Sequence, residues 1–331
     1  MTLDSPQGKI KEGGVKMGRP KGAAVVAPKK KGSFMKYMSS RKWLYLMLLP
    51  GLIYFIVFKY VPMFGVIIAF QDFSPFSGFT GSQWVGFYHF RNLFASTDFP
   101  RLLSNTLGIS ILSLVLYFPA PIILALLLNE MKSQKFKRVS QTLVYVPHFI
   151  SYVIVATLSY QLLNINDGIV NTIIKSLTGN TINILGGARY FRGLIVGQNI
   201  WKETGYGTII FLAALAGVDT QLYEAARVDG AGRLRLLWHI TLPAIRSTIV
   251  LMLILRVGSI LNTGYEQIFL MSNDLNSMKA DVFDTFVFAR GIRMGQYSYA
   301  TTVGLFKSVV SMFMVLTANW TAKKFGERGL Y

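Results

Sequence analysis

Charged side chains interrupt several long apolar stretches of this chain, and their types and positions point to ligand binding inside a membrane. They are Lys59, Lys202, Glu203, Arg256, Glu266 and Lys307. An ionised side chain in hydrocarbon is costly, so such residues line a ligand path or pair with one another. The structural alternative for Arg256 and Lys307 is an ion pair with Glu266 between helices. Lys59 lies near the end of its stretch, where a long side chain can reach the interface.

Aromatic and amide side chains accompany these charges. Trp201 and Tyr206 flank Lys202, and Asn262 and Tyr265 precede Glu266. Ring faces together with amides suit a hydroxylated ligand such as a sugar. Tyrosine and tryptophan at a membrane interface are the alternative interpretation. We therefore take Lys202, Trp201, Tyr206, Arg256, Asn262, Tyr265, Glu266 and Lys307 as candidate residues of a substrate path.

No motif of a catalytic or metal site accompanies them. The sequence has no G-x-x-x-x-G-K-[ST] phosphate loop, no H-E-x-x-H and no G-x-S-x-G. Its three histidines (His89, His148 and His239) lack ligand spacing, and there is no cysteine. We predict a chain that is not an enzyme and holds no cofactor or metal of its own.

The elements that must position these residues are membrane helices. The chain is 52% hydrophobic and only 15% charged, which is a membrane composition. Six apolar stretches are long enough to cross a bilayer, which takes about 20 helical residues each. They are Trp43–Met63, Ser104–Leu128, Ser140–Leu163, Gly193–Val218, Ser247–Phe269 and Tyr299–Trp320. The prediction is an all-α polytopic membrane protein with six transmembrane helices over residues 43–322.

The positive charge of the chain reports its topology. Of the 34 Lys and Arg, 22 fall in residues 1–42, 129–139, 219–246 and 323–331, and 8 fall in the three other loops. Cytoplasmic loops are enriched in Lys and Arg, so we expect both termini in the cytoplasm of a bacterial plasma-membrane protein. Residues 1–42 form a basic, largely disordered tail and residues 323–331 a short one. The basic tail is expected to meet membrane lipid, and a nucleic-acid partner is not expected.

A polar segment, residues 219–243, separates the fourth and fifth stretches. Asp219 or Thr220 can cap a helix that contains Glu224, and Asp229-Gly230 is a turn signal. A second helix from Ala231 to Ile240 is expected to end at Pro243, where the fifth span begins. The sequence thus predicts two short helices on the cytoplasmic face.

The spacing of Glu224-Ala225-Ala226, Gly230 and Ile240-Thr241-Leu242-Pro243 resembles the EAA loop of permease subunits in ATP-binding-cassette importers. The resemblance implies that this helix pair fits a cleft of a cytoplasmic ATPase and couples its closure to the membrane helices. The residues implied are Glu224, Ala225, Ala226, Asp229, Gly230, Leu237 and Pro243. The alternative is an amphipathic helix lying on lipid.

Beyond the loop, the chain after residue 40 most resembles the maltose-type sugar permeases. Leu49-Pro50-Gly51 and Gly326-Glu327-Arg328-Gly329 resemble the oligosaccharide branch. The resemblance implies a second permease subunit, two copies of an ATPase that holds ATP and Mg, and an extracytoplasmic sugar-binding protein. A six-span secondary transporter or channel, working without an ATPase, is the competing class.

The charges in the spans bear on the kind of sugar. The spans contain four basic residues (Lys59, Lys202, Arg256 and Lys307) and two acidic ones (Glu203 and Glu266). Transport of a neutral sugar would not explain this excess of positive charge. Transport of a uronate-containing oligosaccharide would explain it, with Arg256 as the residue for a bidentate contact with a carboxylate. The alternative is that these charges meet acidic residues of the second permease.

Overall fold

A computed structural model describes residues 41–327, 329 and 330, so residues 1–40 of the predicted tail (residues 1–42) lie outside the described residues. The chain divides into two compact units, one up to Val61 and one from Pro62 onward. In the first unit, helix α1 (Lys42–Phe55) contains Pro50 and continues as a π-helical turn at Ile56–Tyr60. None of these helical residues is buried.

The second unit is helical apart from one small hairpin, in which β1 (Gln71–Asp72) pairs antiparallel with β2 (Gln83–Trp84). Its labelled helices are α2 (Tyr88–Ala95), α3 (Asp98–Leu116), α4 (Pro119–Asn129), α5 (Gln134–Tyr145), α6 (Tyr152–Leu163), α7 (Ile169–Thr178), α8 (Ala188–Ala216), α9 (Thr220–Val228), α10 (Arg233–Leu236), α11 (Leu242–Gly258), α12 (Tyr265–Met271), α13 (Phe283–Val287) and α14 (Tyr297–Lys324). Shorter helical turns are Val61–Met63, Phe64–Phe70, Gly78–Gly81, Val146–Phe149, Leu237–Thr241, Ser277–Ala280 and Phe288–Arg293.

Three clusters of buried apolar side chains hold the second unit together. One joins α3 and α8 to α12 through Ile109, Phe191 and Ile268. A second joins α3, α13 and α14, and a third joins α4, α8 and α11. Small residues let the helices approach closely, as in other membrane bundles. The helix α8 therefore contacts most of the bundle and carries many of the polar residues considered below.

The polytopic all-α prediction is confirmed. The described part of the chain has four helical segments long and apolar enough to span a membrane, or up to six if two bent pairs count as spans. The four are Lys42–Phe70, Asp98–Asn129, Arg233–Gly258 and Tyr297–Lys324. Between α3 and α4 the backbones of Tyr117 and Phe118 stay in the right-handed helical region, so α3 and α4 form one helical segment in spite of Pro119, which lacks a backbone donor.

The predicted third span, Ser140–Leu163, differs from a regular helix in that it contains a sharp bend. Helices α5 and α6 meet at an angle of 96°. The break follows from Pro147, which lies in a 3₁₀ turn, and from Ile150 and Ser151, whose backbones are extended. The Ser151 hydroxyl then accepts a bond from Ile154 N and begins α6 anew.

The predicted fifth span, Ser247–Phe269, also has the wrong bounds. The helical segment begins at Arg233 and ends at Gly258. Residues 259–264 leave the helix, and Tyr265–Met271 forms the separate helix α12. The interruption contains Asn262, Thr263 and Gly264, a short polar run that the overall apolar content of the stretch conceals.

Candidate functional site

A polar cavity of about 380 Å³ lies among α3, α6, α8, α11 and the segment that leads into α12. Its lining comprises Ile109, Ser110, Ser113, Leu114, Tyr117, Tyr152, Asn199, Glu203, Arg256, Val257, Ser259, Ile260, Asn262, Thr263, Gly264, Tyr265, Glu266 and Gln267. The volume falls within the range of about 300–1,000 Å³ that is typical of small-molecule sites. Four of the eight candidate residues meet here, namely Arg256, Asn262, Tyr265 and Glu266.

Arg256 is the cavity's basic group. It lies in the last turn of α11. One guanidinium nitrogen donates to Ser113 Oγ at 2.7 Å, and the guanidinium carbon lies 5.3 Å from the centre of the Tyr117 ring. Among the described residues no carboxylate lies within 4.0 Å of it, so the Arg256–Glu266 ion pair considered above does not form. A half-buried guanidinium held in this way retains donors for a ligand.

The opposite wall carries an ordered polar network on α8. The Tyr152 hydroxyl donates to Asn199 Oδ1 at 3.1 Å. One turn further, Glu203 contacts His148 Nδ1 at 2.7 Å and Lys202 Nζ at 2.9 Å. His148 belongs to the turn that breaks the third span, so the break and the cavity wall share one set of hydrogen bonds. The sequence did not indicate this role for His148 or Tyr152, since neither stands in a motif.

The other four candidate residues lie outside the cavity lining. Lys202 is buried behind Glu203, and Trp201 on the same helix is half exposed. Tyr206 stacks on the His148 ring with 3.9 Å between ring centres. Lys307 pairs with Asp284 and not with Glu266. The part that each of these four takes in a substrate path stays a prediction.

Asp284 is the partner that sequence reasoning missed. Its other carboxylate oxygen accepts from Thr263 N at 3.0 Å, which ties α13 to the segment that carries Asn262. A pair formed by residues so far apart in the sequence leaves no local signal.

A second group of charges lies at the start of the segment Asp98–Asn129. Arg101 contacts Asp98 at 2.8 Å and Asp281 at 3.0 Å, and Arg290 lies 3.6 Å from Asp98. Burial raises the pKa of Asp281 above its ordinary value, while a hydrogen bond from Thr285 and the charge of Arg101 act in the opposite direction. In the described residues no group of three or more His, Cys, Asp or Glu is placed to hold a metal ion.

Residues 219–243 contain α9, a turn and the start of a second helix. Asp219 caps α9 by accepting from Gln221 N at 2.9 Å. Gly230 adopts φ +77°, the left-handed conformation that favours glycine. Glu224 and Ala225 are exposed on α9, and Ala226 is half-buried. A depression of about 290 Å³ between the two helices is lined by Ala226, Asp229, Ala231, Arg235, Leu236, His239 and Ile240.

The expected end of the second helix at Pro243 is wrong. Helix α10, the π-helical turn Leu237–Thr241 and α11 follow without a break, so Pro243 lies inside one long helical segment. The wider π turn changes the hydrogen-bond pattern directly before the ring and accommodates the missing donor. The helix that follows Gly230 is therefore continuous with the one that carries Arg256.

These features define a class of protein: a polytopic helical membrane subunit with a polar internal cavity and a polar helix pair on a segment continuous with the cavity wall. Residues 117–327 match the family model of the binding-protein-dependent transport system inner membrane component. The chain belongs to this family, whose members are non-catalytic permease subunits. Membership of this family favours the permease of an ATP-driven importer over the competing class, a secondary transporter that works without an ATPase.

Curated relatives cover nearly the whole chain. Protein LplB of Bacillus subtilis (strain 168) is 55% identical over 93% of this chain and 97% of the relative. The polygalacturonan/rhamnogalacturonan transport system permease protein YteP of the same strain is 51% identical over 93% of this chain and 96% of the relative.

Two solved structures of bacterial ABC transporters are similar to most of this chain. A chain of a bacterial alginate ABC transporter, in complex with alginate pentasaccharide-bound periplasmic protein, matches with a TM-score of 0.83 and 38% identity, over 90% of this chain and 100% of that one. A second structure, of a bacterial ABC transporter involved in the import of the acidic polysaccharide alginate, matches with a TM-score of 0.81 and 40% identity, over 88% of this chain and 98% of that one.

Proposed function

We propose that this chain forms one half of the translocation pore of an ATP-driven importer for acidic, uronate-containing oligosaccharides. A second permease subunit forms the other half, and two copies of a cytoplasmic ATPase hold ATP and Mg. An extracytoplasmic binding protein delivers the sugar. Both termini and residues 219–243 face the cytoplasm, as the distribution of Lys and Arg predicts.

The observation that carries the proposal is the guanidinium of Arg256. It faces the cavity, is oriented by Ser113 and Tyr117, and has no carboxylate partner among the described residues. Arginine binds a carboxylate with two parallel hydrogen bonds, which a neutral sugar cannot accept in the same geometry. The relatives support the proposal, since polygalacturonan, rhamnogalacturonan and alginate transport all concern acidic sugar polymers.

The remaining cavity wall supports a sugar as the ligand. Tyr117, Tyr152 and Tyr265 present rings, and Asn199 and Asn262 present amides. Rings pack against the apolar faces of a pyranose, and amides both donate to and accept from hydroxyls. The cavity holds only part of an oligosaccharide at one time, so the sugar chain would pass through the cavity stepwise.

Coupling to the ATPase is proposed for the helix pair. The exposed Glu224, Ala225 and Asp229 give it a small-residue surface with two charges. Because α10 continues into α11, a displacement of the pair moves the helix that carries Arg256. ATP-driven closure of the partner would in this way reach the cavity directly.

The test is uptake by the complete importer in vesicles, with trigalacturonate and its neutral methyl ester as substrates. In Arg256→Gln we expect uptake of the acid to fall on the order of tenfold or more relative to the ester, since a charge-assisted hydrogen bond is worth about 1.5–3 kcal/mol. Lys175→Gln removes an equal charge at an exposed residue outside the cavity and should leave the uptake of both substrates unchanged. Equal loss of both substrates in Arg256→Gln, or a wild type that ignores the acid, would contradict the proposal.

A further inference from the structure

Glu203 poses a physical difficulty for a cavity that accepts polyanions. Its carboxylate lines the same cavity as Arg256, and its side chain is 23% exposed. A carboxylate on the wall repels a uronate, and the repulsion is strong where little water screens it. Cancelling this charge would therefore favour an acidic sugar at this part of the wall, whereas Glu266, the other carboxylate of the lining, has no Lys or Arg within 4.0 Å among the described residues.

The structure provides a means of cancelling the charge of Glu203 behind the wall. Oε1 of Glu203 accepts from Lys202 Nζ at 2.9 Å, and Oε2 contacts His148 Nδ1 at 2.7 Å. Lys202 is only 5% exposed and is absent from the cavity lining. The substrate therefore meets the carboxylate and not the ammonium group.

The ammonium group of Lys202 is held in place by three neighbours. Besides Glu203, it donates to the carbonyl oxygen of His148 at 2.7 Å and lies 5.0 Å from the centre of the Tyr152 ring. An ammonium group carries three donor hydrogens and a positive charge, which match two oxygen acceptors and the face of a ring. Its position is fixed from two sides, by α8 and by the turn at the break of the third span.

Each carboxylate oxygen of Glu203 has two lone pairs, and the contacts above occupy one on each. The remaining lone pairs can accept sugar hydroxyls. A carboxylate whose charge is balanced by a neighbouring ammonium group can thus still accept hydrogen bonds from sugar hydroxyls, but it no longer repels the uronate. Glutamine would supply one acceptor oxygen and two donor hydrogens in its place.

We propose that Lys202 is a positioning residue for substrate charge, which cancels the charge of Glu203 from behind so that this carboxylate binds the hydroxyls of an acidic sugar. The inference rests on the proposed function, because it assumes an acidic substrate. It assigns the cavity two distinct polar subsites. Arg256 binds the carboxylate of the substrate, and the Glu203–Lys202 pair binds its hydroxyls.

The experiment measures the ratio of trigalacturonate uptake to methyl-ester uptake in vesicles that contain the complete importer. All variants are compared at the same pH of 8, which is above the pKa of free imidazole. Lys202→Met should lower the acid-to-ester ratio on the order of tenfold, because Glu203 is then uncompensated. Glu203→Gln should raise the ratio, since Lys202 then stands alone.

The double variant Lys202→Met/Glu203→Gln separates charge from structure. It removes both charges, and we expect its ratio to return to within about threefold of the wild type. An unchanged ratio in Lys202→Met, or a double variant with the ratio of Lys202→Met, would overturn the inference. A wild type that takes the ester in preference to the acid would instead refute the proposed function, independently of the variants.

Discussion

Gly205 on α8 offers the sharpest structural perturbation of the cavity wall. A Cβ at this residue would lie 1.8 Å from the carbonyl oxygen of Val144 and 2.5 Å from its carbonyl carbon. Both are backbone atoms of α5, so no side-chain rotation relieves the overlap. In Gly205→Ala, α5 must move away from α8 by more than an ångström or α8 must distort.

The cost follows from known effects of overpacking. Extra methyl groups in packed interiors cost about 1–3 kcal/mol. Alanine in a helix regains up to about 1 kcal/mol over glycine. Because the overlap is with backbone atoms, the upper end of the overpacking cost applies, and the net loss in the free energy of unfolding is about 2 kcal/mol. The strain falls on the turn after α5, which holds His148 against Glu203.

The assay combines thermal unfolding of the purified importer with uptake in vesicles. We expect Gly205→Ala to lower the unfolding temperature by roughly 2–8 °C and to reduce uptake of trigalacturonate. Gly197→Ala is the matched control on the same helix, because nothing lies within 4 Å of its added Cβ. The reasoning fails if the two variants have the same unfolding temperature and the same uptake.

Two further perturbations test other parts of the structure. Glu224→Arg or Gly230→Trp should abolish ATP hydrolysis stimulated by the loaded binding protein, while membrane insertion survives; undiminished stimulation in both would refute the coupling role. Lys307→Met leaves the partly buried Asp284 without its cation. It should lower the free energy of unfolding by about 3 kcal/mol, as measured by thermal unfolding. The double variant with Asp284→Asn should lose less, and a strictly additive loss would show that the pair contributes nothing.

Features specified by neighbouring residues were predictable from the sequence. The apolar stretches gave the membrane class, and Asp219 and Gly230 marked the start and end of α9 through a cap and a left-handed turn. These signals act within a few residues of their own position. Physical rules for helix ends therefore suffice to locate them.

Features that depend on distant contacts were not predictable. Lys307 finds Asp284 on another helix, and Arg256 finds Ser113, which is 143 residues earlier in the chain. The break at Pro147 and the continuous helix through Pro243 show that a proline alone does not decide the local outcome. At Pro147 the helices on either side meet at 96°, whereas Pro243 follows a π-helical turn and the helix continues through it.

The central claim is that the polar cavity is the path of the acidic sugar, and protection of a single cysteine tests it most directly. The chain contains no cysteine, so Asn262→Cys provides its only thiol, at an exposed residue of the cavity wall. During transport of trigalacturonate we expect labelling of this thiol by a water-soluble maleimide to slow several-fold, while labelling of Lys175→Cys outside the cavity stays constant. Equal labelling rates with and without the sugar at both residues would contradict the claim.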